Sequence, residues 1–201
     1  MMRKGLMALA FCTALALAAG AQAPAAAPPD PIVGNPHASV HMIMYEDLEC
    51  PKCAAFHQEL VSTIIPAYGT RVAFEFRDFH ISYHPWSYNA ALIARYLDTR
   101  SVKLGMDWRD YCFTHQNDIF AGTLLDRAAA FCASHGISRD QLSSAFSRSD
   151  LFAKLQRDQQ LALHDHLTGT PLVIIDGTAL PDSATPQDLL RAVQAAVAQR
   201  H

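Results

Sequence analysis

Two short runs of large apolar residues, separated by a helix-like segment, begin the patterned part of the chain. Residues 40–45 are apolar at nearly every position, which is typical of a buried central strand. Residues 72–77 alternate between apolar and polar and predict a second strand. Residues 54–65 have helical spacing, and Pro66 is expected to end that helix. This order predicts two parallel strands joined by a right-handed crossover.

Between residues 84 and 167 the strand pattern is replaced by helical spacing. Asp107 and Ser149 are candidate N-caps, and Ser138 with Gln141 has the pattern of a capping box. The predicted helices cover residues 86–97, 106–119 and 124–134, a short segment from 138, and residues 149–167. The stretch is therefore predicted to be an all-helical insertion.

Strand patterns return near the C-terminus. Residues 171–175 are apolar, and Asp176-Gly177 is a hairpin turn signal before a further short strand at residues 178–180. Thr185 and Pro186 then begin an amphipathic helix. The fold class is α/β, with a central mixed sheet flanked by helices.

The first 23 residues have the pattern of a secretory signal peptide, with Arg3 and Lys4 before an apolar run and small residues at the end. A membrane anchor is the alternative, but the apolar run is shorter than the ~20 residues that a span needs. Residues 24–31 are rich in proline and alanine and predict a disordered leader before a domain at residues 32–200. Export would place the protein in an oxidising compartment, where disulfides persist.

Composition narrows the classes of function. Half of the 201 residues are hydrophobic, 17% are charged, and the formal net charge is −3. This is an ordinary globular composition without the basic excess of a nucleic-acid-binding domain.

The strongest chemical signal is Cys50-Pro51-Lys52-Cys53, between the first predicted strand and its helix. The start of a helix carries partial positive charge and free N–H groups, which favour a thiolate at Cys50. Cys53 lies one turn further and would resolve a mixed disulfide. Pro51 suits the first helical position, Lys52 would stabilise the thiolate, and Glu49 would oppose it.

Two other readings of this pair are less favoured. His57 extends the pattern to C-x-x-C-x-x-x-H, but a structural zinc site needs four grouped ligands, and no second pair of cysteines follows. A purely structural disulfide would close a very short loop and so stabilise the fold little.

These features together resemble the DsbA-like thiol–disulfide oxidoreductases of the thioredoxin superfamily, over nearly the whole mature chain. The residues that carry the resemblance are Asp47-x-x-Cys50-Pro51-x-Cys53, Gly169-Thr170-Pro171 and Asp176-Gly177. The resemblance implies a thioredoxin-like fold, with Cys50 and Cys53 catalytic. It also implies a cis proline at Pro171 beside the dithiol, with Thr170 and Pro171 positioning the substrate.

The chain departs from the family at one position of interest. A buried acidic residue is common six positions before the first cysteine, and this chain has Met44 there. The carboxylates of Glu46, Asp47 and Glu49 are nearby at other spacings. We expect Glu46 and Glu49 to be solvated loop charges.

Cys112 and Cys132 lie in the predicted insertion and would be level on an antiparallel helix hairpin. They form either a structural disulfide or two buried free thiols, and the oxidising compartment favours the disulfide. Its loop of about 20 residues would contribute roughly 3 kcal/mol.

The expected function is that of a periplasmic oxidase that donates its disulfide to exported client proteins, without metal or cofactor. The alternatives are a reductase or isomerase, or a non-catalytic chaperone-like module. Expected partners are reduced or misoxidised clients and a quinone-linked, DsbB-like membrane oxidase, or else a reducing membrane partner. We expect a monomer that binds no nucleic acid.

Overall fold

Residues 30–200 are described by a computed structural model, which places five strands in one sheet. The strands are β1 (Ile32–Gly34), β2 (Val40–Glu46), β3 (Val72–Asp78), β4 (Leu172–Ile175) and β5 (Thr178–Ala179). Their order is β1-β3-β2-β4-β5. β2 and β3 are parallel, and every other pair is antiparallel, which confirms the mixed sheet. The predicted signal peptide, residues 1–23, and residues 24–29 of the predicted leader lie outside the described residues.

A helix with a widened turn follows β2. It comprises α1 (Pro51–Glu59), a π-helical turn (Leu60–Ile64) and α2 (Ile65–Tyr68). The expectation that Pro66 ends this helix is therefore wrong. Pro66 lies in the first turn of α2, where a proline is tolerated because the N–H it lacks has no required partner there.

The segment between β3 and β4 is helical, as predicted for the insertion. Its helices are α3 (Ser87–Asp98), α4 (Val102–Thr114), α5 (Leu124–Ser134), α6 (Arg139–Ser143) and α7 (Ser149–His164), with 3₁₀ turns at Gln116–Asp118 and Ser144–Ser147. The capping box of Ser138 and Gln141 is present. Two predicted caps are wrong: α4 is capped by Ser101, not Asp107, and Arg148 occupies the N-cap of α7.

The C-terminal elements form as predicted. Asp176 and Gly177 both have positive φ in the turn between β4 and β5, a conformation that this pair of residues accommodates readily. Helix α8 (Pro186–Ala198) begins with a capping box between Thr185 and Asp188.

Two hydrophobic clusters account for most of the core. One lies between the sheet and helices α1 and α8, and its members include Met42, Met44, Phe56, Leu60, Leu189 and Val193. The other fills the helical insertion, and both Cys50 and Cys53 belong to it. The dithiol therefore lies where the packed insertion meets the start of α1.

A short strand and a buried carboxylate extend the domain toward the N-terminus. β1 pairs with β3 at the edge of the sheet. Asp30, which the sequence assigned to a disordered leader, is buried and accepts a hydrogen bond of 2.8 Å from Arg95. Ordered structure therefore includes Asp30. No helix within residues 30–200 has both the length and the apolar character that a bilayer crossing requires.

Candidate active site

Cys50 occupies the N-cap of α1. Its backbone is extended, with φ −78° and ψ 121°, and Pro51 follows as the first residue of the helix. The Cys50 N–H donates to the carbonyl oxygen of Asp47 at 3.0 Å, which closes the turn that leads into the helix. The Cys50 side chain is therefore held at the end of α1 where free N–H groups favour negative charge.

The two thiols have opposite acidities. The hydrogen bond from the Cys53 side chain is the largest cause that lowers the pKa of Cys50, to about 5. Burial opposes this shift, while Thr170 and the backbone N–H groups of Cys53 and Lys52 add to it. Cys53 is fully buried, and desolvation raises the pKa of its thiol well above the ordinary value. Near neutral pH the reduced pair is therefore a thiolate at Cys50 and a thiol at Cys53.

Replacing Cys53 by alanine is expected to raise the pKa of Cys50 from about 5 toward the free-cysteine value near ~8.5, because the main hydrogen bond to the thiolate is lost. Cys53→Ser keeps a donor of similar size and is expected to raise this pKa less. Thiolate ultraviolet absorbance, followed across the pH range, measures both shifts. If the pKa of Cys50 in the wild type equalled that of free cysteine, Cys50 would not be a stabilised thiolate.

The structure brings Thr170 and Pro171 to the dithiol from 120 positions along the chain. The Thr170–Pro171 peptide bond is cis, and Pro171 begins the approach to β4. The thiol form of Cys50 donates to the carbonyl oxygen of Thr170 at 3.5 Å. The prolyl turn formed by Thr170 and Pro171 therefore lies beside Cys50.

The side chain and the backbone of Lys52 have different surroundings. Its ammonium group donates to the carbonyl oxygen of Asp182 and lies 5.7 Å from the centre of the Phe56 ring. The backbone N–H of Lys52 is among the causes that lower the pKa of Cys50. The contribution that the structure shows for Lys52 is thus that of a helix N–H group.

Glu46 and Glu49 are not the solvated loop charges that the sequence suggested. Glu46 is fully buried at the end of β2 and accepts a hydrogen bond of 2.9 Å from Arg109. Glu49 is partly buried and accepts the backbone N–H of Trp86 at 3.0 Å. Burial raises the pKa of both carboxyl groups. Both therefore hold the strand and the active-site loop against the insertion.

Asp47 and Met44 occupy different surroundings. The Asp47 carboxylate is buried and accepts the N–H groups of Glu49 and Ile81, at 2.8 and 2.7 Å, while its own N–H reaches the Cys53 sulfur at 3.5 Å. Met44 packs in the apolar cluster between the sheet and α1. Asp47 thus ties the loop before Cys50 to the segment after β3.

Gln116 is a site residue that the sequence analysis missed. Its side-chain amide donates to the carbonyl oxygens of Leu48 and Cys50, each at 3.0 Å. These bonds tie the insertion to the loop that carries Cys50. No local sequence pattern indicates this contact, because the donor and its acceptors are more than sixty residues apart.

The four described cysteines are all free thiols in this structure. Cys112 and Cys132 are both buried in the core of the insertion, and burial raises the pKa of each thiol. The predicted disulfide between them is thus not formed here. Because the Cys50–Cys53 pair is in its thiol form as well, the second disulfide stays a prediction for the oxidised protein.

Cys50, Cys53 and His57 are the residues of the C-x-x-C-x-x-x-H pattern. Nε2 of His57 lies 3.6 Å from a carboxylate oxygen of Asp110. Within residues 30–200 there is no group of three or more histidine, cysteine or acidic side chains arranged to hold a metal ion. The site as described is a dithiol with backbone and side-chain hydrogen bonds around it.

Several solved structures have folds similar to that of this chain. Wolbachia pipientis alpha-DsbA1 is 19% identical with a TM-score of 0.73, and the match covers 86% of this chain and 92% of that one. Bacillus subtilis BdbD in its oxidised form is 19% identical with a TM-score of 0.68, covering 84% and 93%. A putative protein-disulfide isomerase from Pseudomonas syringae is 14% identical with a TM-score of 0.66, covering 82% and 96%. These likenesses confirm the fold, which is thioredoxin-like with a helical insertion.

Sequence comparisons give the family. No curated protein sequence matches the chain. A family model described as Thioredoxin matches residues 26–195, which include β1, the dithiol, the insertion and most of α8. Over most of its length, and with its C-x-x-C pair at the start of α1, the chain belongs to the thioredoxin family.

Proposed function

We propose that the protein is an exported thiol–disulfide oxidoreductase that works as an oxidase and passes a Cys50–Cys53 disulfide to client proteins. The observation that carries the proposal is the opposite acidity of the two thiols, with the pKa of Cys50 lowered to about 5 and that of Cys53 raised. A disulfide is strongly oxidising when its reduced form is stabilised, and a thiolate held by hydrogen bonds stabilises that form. DsbA is the established example of this relation.

The chemistry follows from the different burial of the two cysteines, since Cys50 is 7% exposed and Cys53 is 0% exposed. A client thiolate attacks the Cys50 sulfur, which forms a mixed disulfide and releases Cys53. A second client thiolate then attacks the client sulfur of this bond and releases the Cys50 thiolate. The client loses two electrons and gains a disulfide, and the protein gains two electrons. Cys50 is a good leaving group because a thiol of low pKa leaves readily.

The prolyl turn supports a way to hold the client. Thr170 presents its backbone beside Cys50, and an extended peptide that pairs with such backbone would place its own cysteine near the Cys50 sulfur. Thr170 and Pro171 are therefore proposed to position clients. Pro51, Lys52 and Glu49 would act through the geometry and electrostatics of the helix start.

Reduction or isomerisation of client disulfides is the second candidate. The identity of Thr170 before the proline and the likeness to a putative protein-disulfide isomerase favour it. The two directions require different recycling partners: a quinone-linked membrane oxidase for an oxidase, and a reducing membrane partner for a reductase. We propose the first, together with export by residues 1–23 to the periplasm and action as a monomer.

The reduction potential separates the two directions. Equilibration with glutathione near neutral pH is expected to give a value closer to about −120 mV than to about −270 mV. Between the two thiol pKa values, reduction takes up two electrons and one proton, so the potential should fall by about 30 mV per pH unit. Below the Cys50 pKa of about 5, two protons are taken up and the slope should double.

Activity assays complete this test. The purified protein is expected to oxidise reduced ribonuclease and to reduce insulin slowly. A potential near that of thioredoxin, with rapid insulin reduction, would overturn the oxidase in favour of the reductase.

A further inference from the structure

A proton must move at Cys53 in every cycle of disulfide exchange. Cys53 leaves the disulfide as a thiolate, and it attacks a mixed disulfide only as a thiolate. The sulfur is fully buried, and desolvation holds the pKa of the thiol well above its ordinary value. Met44, on the strand that leads to the dithiol, packs in an apolar cluster and has no titratable group. Another group must therefore exchange protons with this sulfur.

His57 is a buried side chain that the function described above does not use. It lies on α1 four residues after Cys53, so the two side chains are neighbours on one face of the helix. Only 1% of His57 is exposed; within residues 30–200 its Nδ1 has no hydrogen-bond partner, and its Nε2 faces Asp110 at 3.6 Å. A buried polar group without partners is uncommon and points to a role that needs a free nitrogen.

Charged groups face His57 from β2 and from α4. From β2, Glu46 interacts electrostatically with His57, and its oxygen Oε2 is buried with no hydrogen-bond partner among the described residues. From α4, Asp110 lies 3.6 Å from Nε2 of His57. Arg109 binds the other oxygen of Glu46, and the charge of His115 acts on Asp110. Phe113 covers the ring at 4.6 Å between centroids.

This cluster reaches from the protein interior to its surface. The Asp110 side chain is 49% exposed, whereas that of His57 is 1% exposed. The interaction with His57 is the largest cause that lowers the pKa of Asp110, so its carboxylate stays charged to low pH. A proton on the imidazole therefore has a charged acceptor in contact with solvent on one side and a buried carboxylate on the other.

We propose that His57, assisted by Glu46 and Asp110, is the proton-exchange partner of Cys53. The inference rests on the proposed thiol–disulfide exchange and deepens it. When the disulfide opens, the imidazolium gives its proton to the Cys53 thiolate. When a mixed disulfide at Cys50 is resolved, the Cys53 thiol gives its proton to the imidazole. The Cys53 sulfur then attacks the Cys50 sulfur and releases the client as a thiolate. The proton leaves through Asp110 to water.

The rate at which Cys53 resolves a mixed disulfide tests this. Reduced protein is mixed with oxidised glutathione, samples are quenched with acid, and mass spectrometry follows the glutathione adduct of Cys50 and its loss. His57→Phe keeps an aromatic ring against Phe113. It is expected to slow loss of the adduct about 100-fold between about pH 5 and about pH 8 and to make the rate proportional to hydroxide. Formation of the adduct, which depends on Cys50, should be unchanged.

His135 provides a matched control. Its ring lies 4.6 Å from that of Phe131, the same centroid distance as between His57 and Phe113, but it is the C-cap residue of α5. His135→Phe should leave both steps and their pH profiles as in the wild type. If the folded His57→Phe variant resolves the adduct with the wild-type rate and profile, the inference is wrong.

Asp110→Asn tests the same proposal if His57→Phe does not fold. Asp110 is half-exposed, so this substitution leaves the packing of the core unchanged. It should slow resolution about threefold, and the double variant should be no slower than His57→Phe alone, since both act in one path. If Asp110→Asn resolved the glutathione adduct at the wild-type rate, the proposed proton path from His57 through Asp110 to solvent would be wrong. A wild-type protein that forms no reversible disulfide with glutathione would instead refute the proposed function.

Discussion

Replacing Cys50 by serine is expected to abolish disulfide transfer to client proteins and leave the fold intact. A serine oxygen forms no disulfide, and the remaining sulfur of Cys53 is buried with a raised pKa, so no reactive thiolate is left at the site. Oxidation of reduced ribonuclease should fall to the rate without protein. Thermal unfolding should show a transition close to that of the reduced wild type.

Two variants make the result specific. Cys53→Ser has no internal disulfide to donate, but its Cys50 thiolate can still attack a disulfide of an oxidised client and release one client thiolate. The resulting mixed disulfide should accumulate, because no Cys53 sulfur is present to resolve it. Cys132→Ala removes a buried thiol of α5 and should retain client oxidation. If Cys50→Ser kept the full effect of the protein on client folding, the protein would be a chaperone-like module rather than an oxidase.

Replacing Arg109 by methionine is expected to lower the free energy of unfolding by about 3–5 kcal/mol. The Arg109 guanidinium is buried and donates to Glu46 at 2.9 Å and to both carboxylate oxygens of Asp78 at 2.6 and 3.1 Å. Methionine fills a similar volume but leaves two buried carboxylates without their main partner. Denaturant unfolding near neutral pH measures the difference.

The pH dependence of this loss has a definite sign. Arg109 is a cause that lowers the pKa of both Glu46 and Asp78, so its removal raises both pKa values. A group with a raised pKa costs stability as pH rises through that value. The loss caused by Arg109→Met should therefore shrink as the solution is made acidic.

Helix α4 offers a matched control for this variant. Lys103 forms an exposed ion pair with Asp107 one turn away, with its ammonium 2.6 Å from the carboxylate. Lys103→Met removes a charge from the same helix and should change stability by less than about 0.5 kcal/mol. A loss below about 1 kcal/mol for Arg109→Met would show that the buried carboxylates have other adequate partners.

Side-chain partners distant in sequence account for most of what the sequence analysis missed. The position of Glu46 and Glu49 beside a loop predicts solvated charges, yet residues of the insertion bind both. The prolines around Asp30 predict a disordered leader, yet Arg95 binds its carboxylate in the core. Charge and local composition do not indicate whether an opposite charge lies near in the folded chain.

The sequence by itself determined the features that neighbouring residues control. These are the parallel strand pair, the helical insertion, the turn at Asp176-Gly177, the caps at Ser138 and Thr185, and the placing of the C-x-x-C pair at the start of a helix. Each depends on periodicity, turn chemistry or helix-end preference within a few residues.

Only the tertiary structure decided what surrounds the dithiol. Packing of the insertion against α1 buries Cys53 and His57 and brings Gln116 to the carbonyl oxygen of Cys50. Pairing of β4 with β2 accompanies the placement of Thr170 beside the Cys50 sulfur, which only the family resemblance had implied. Desolvation and hydrogen bonds between residues far apart in the chain then set the two thiol acidities. Burial and hydrogen bonding of this kind arise only when distant segments meet. The pattern of neighbouring residues in the sequence therefore does not indicate them.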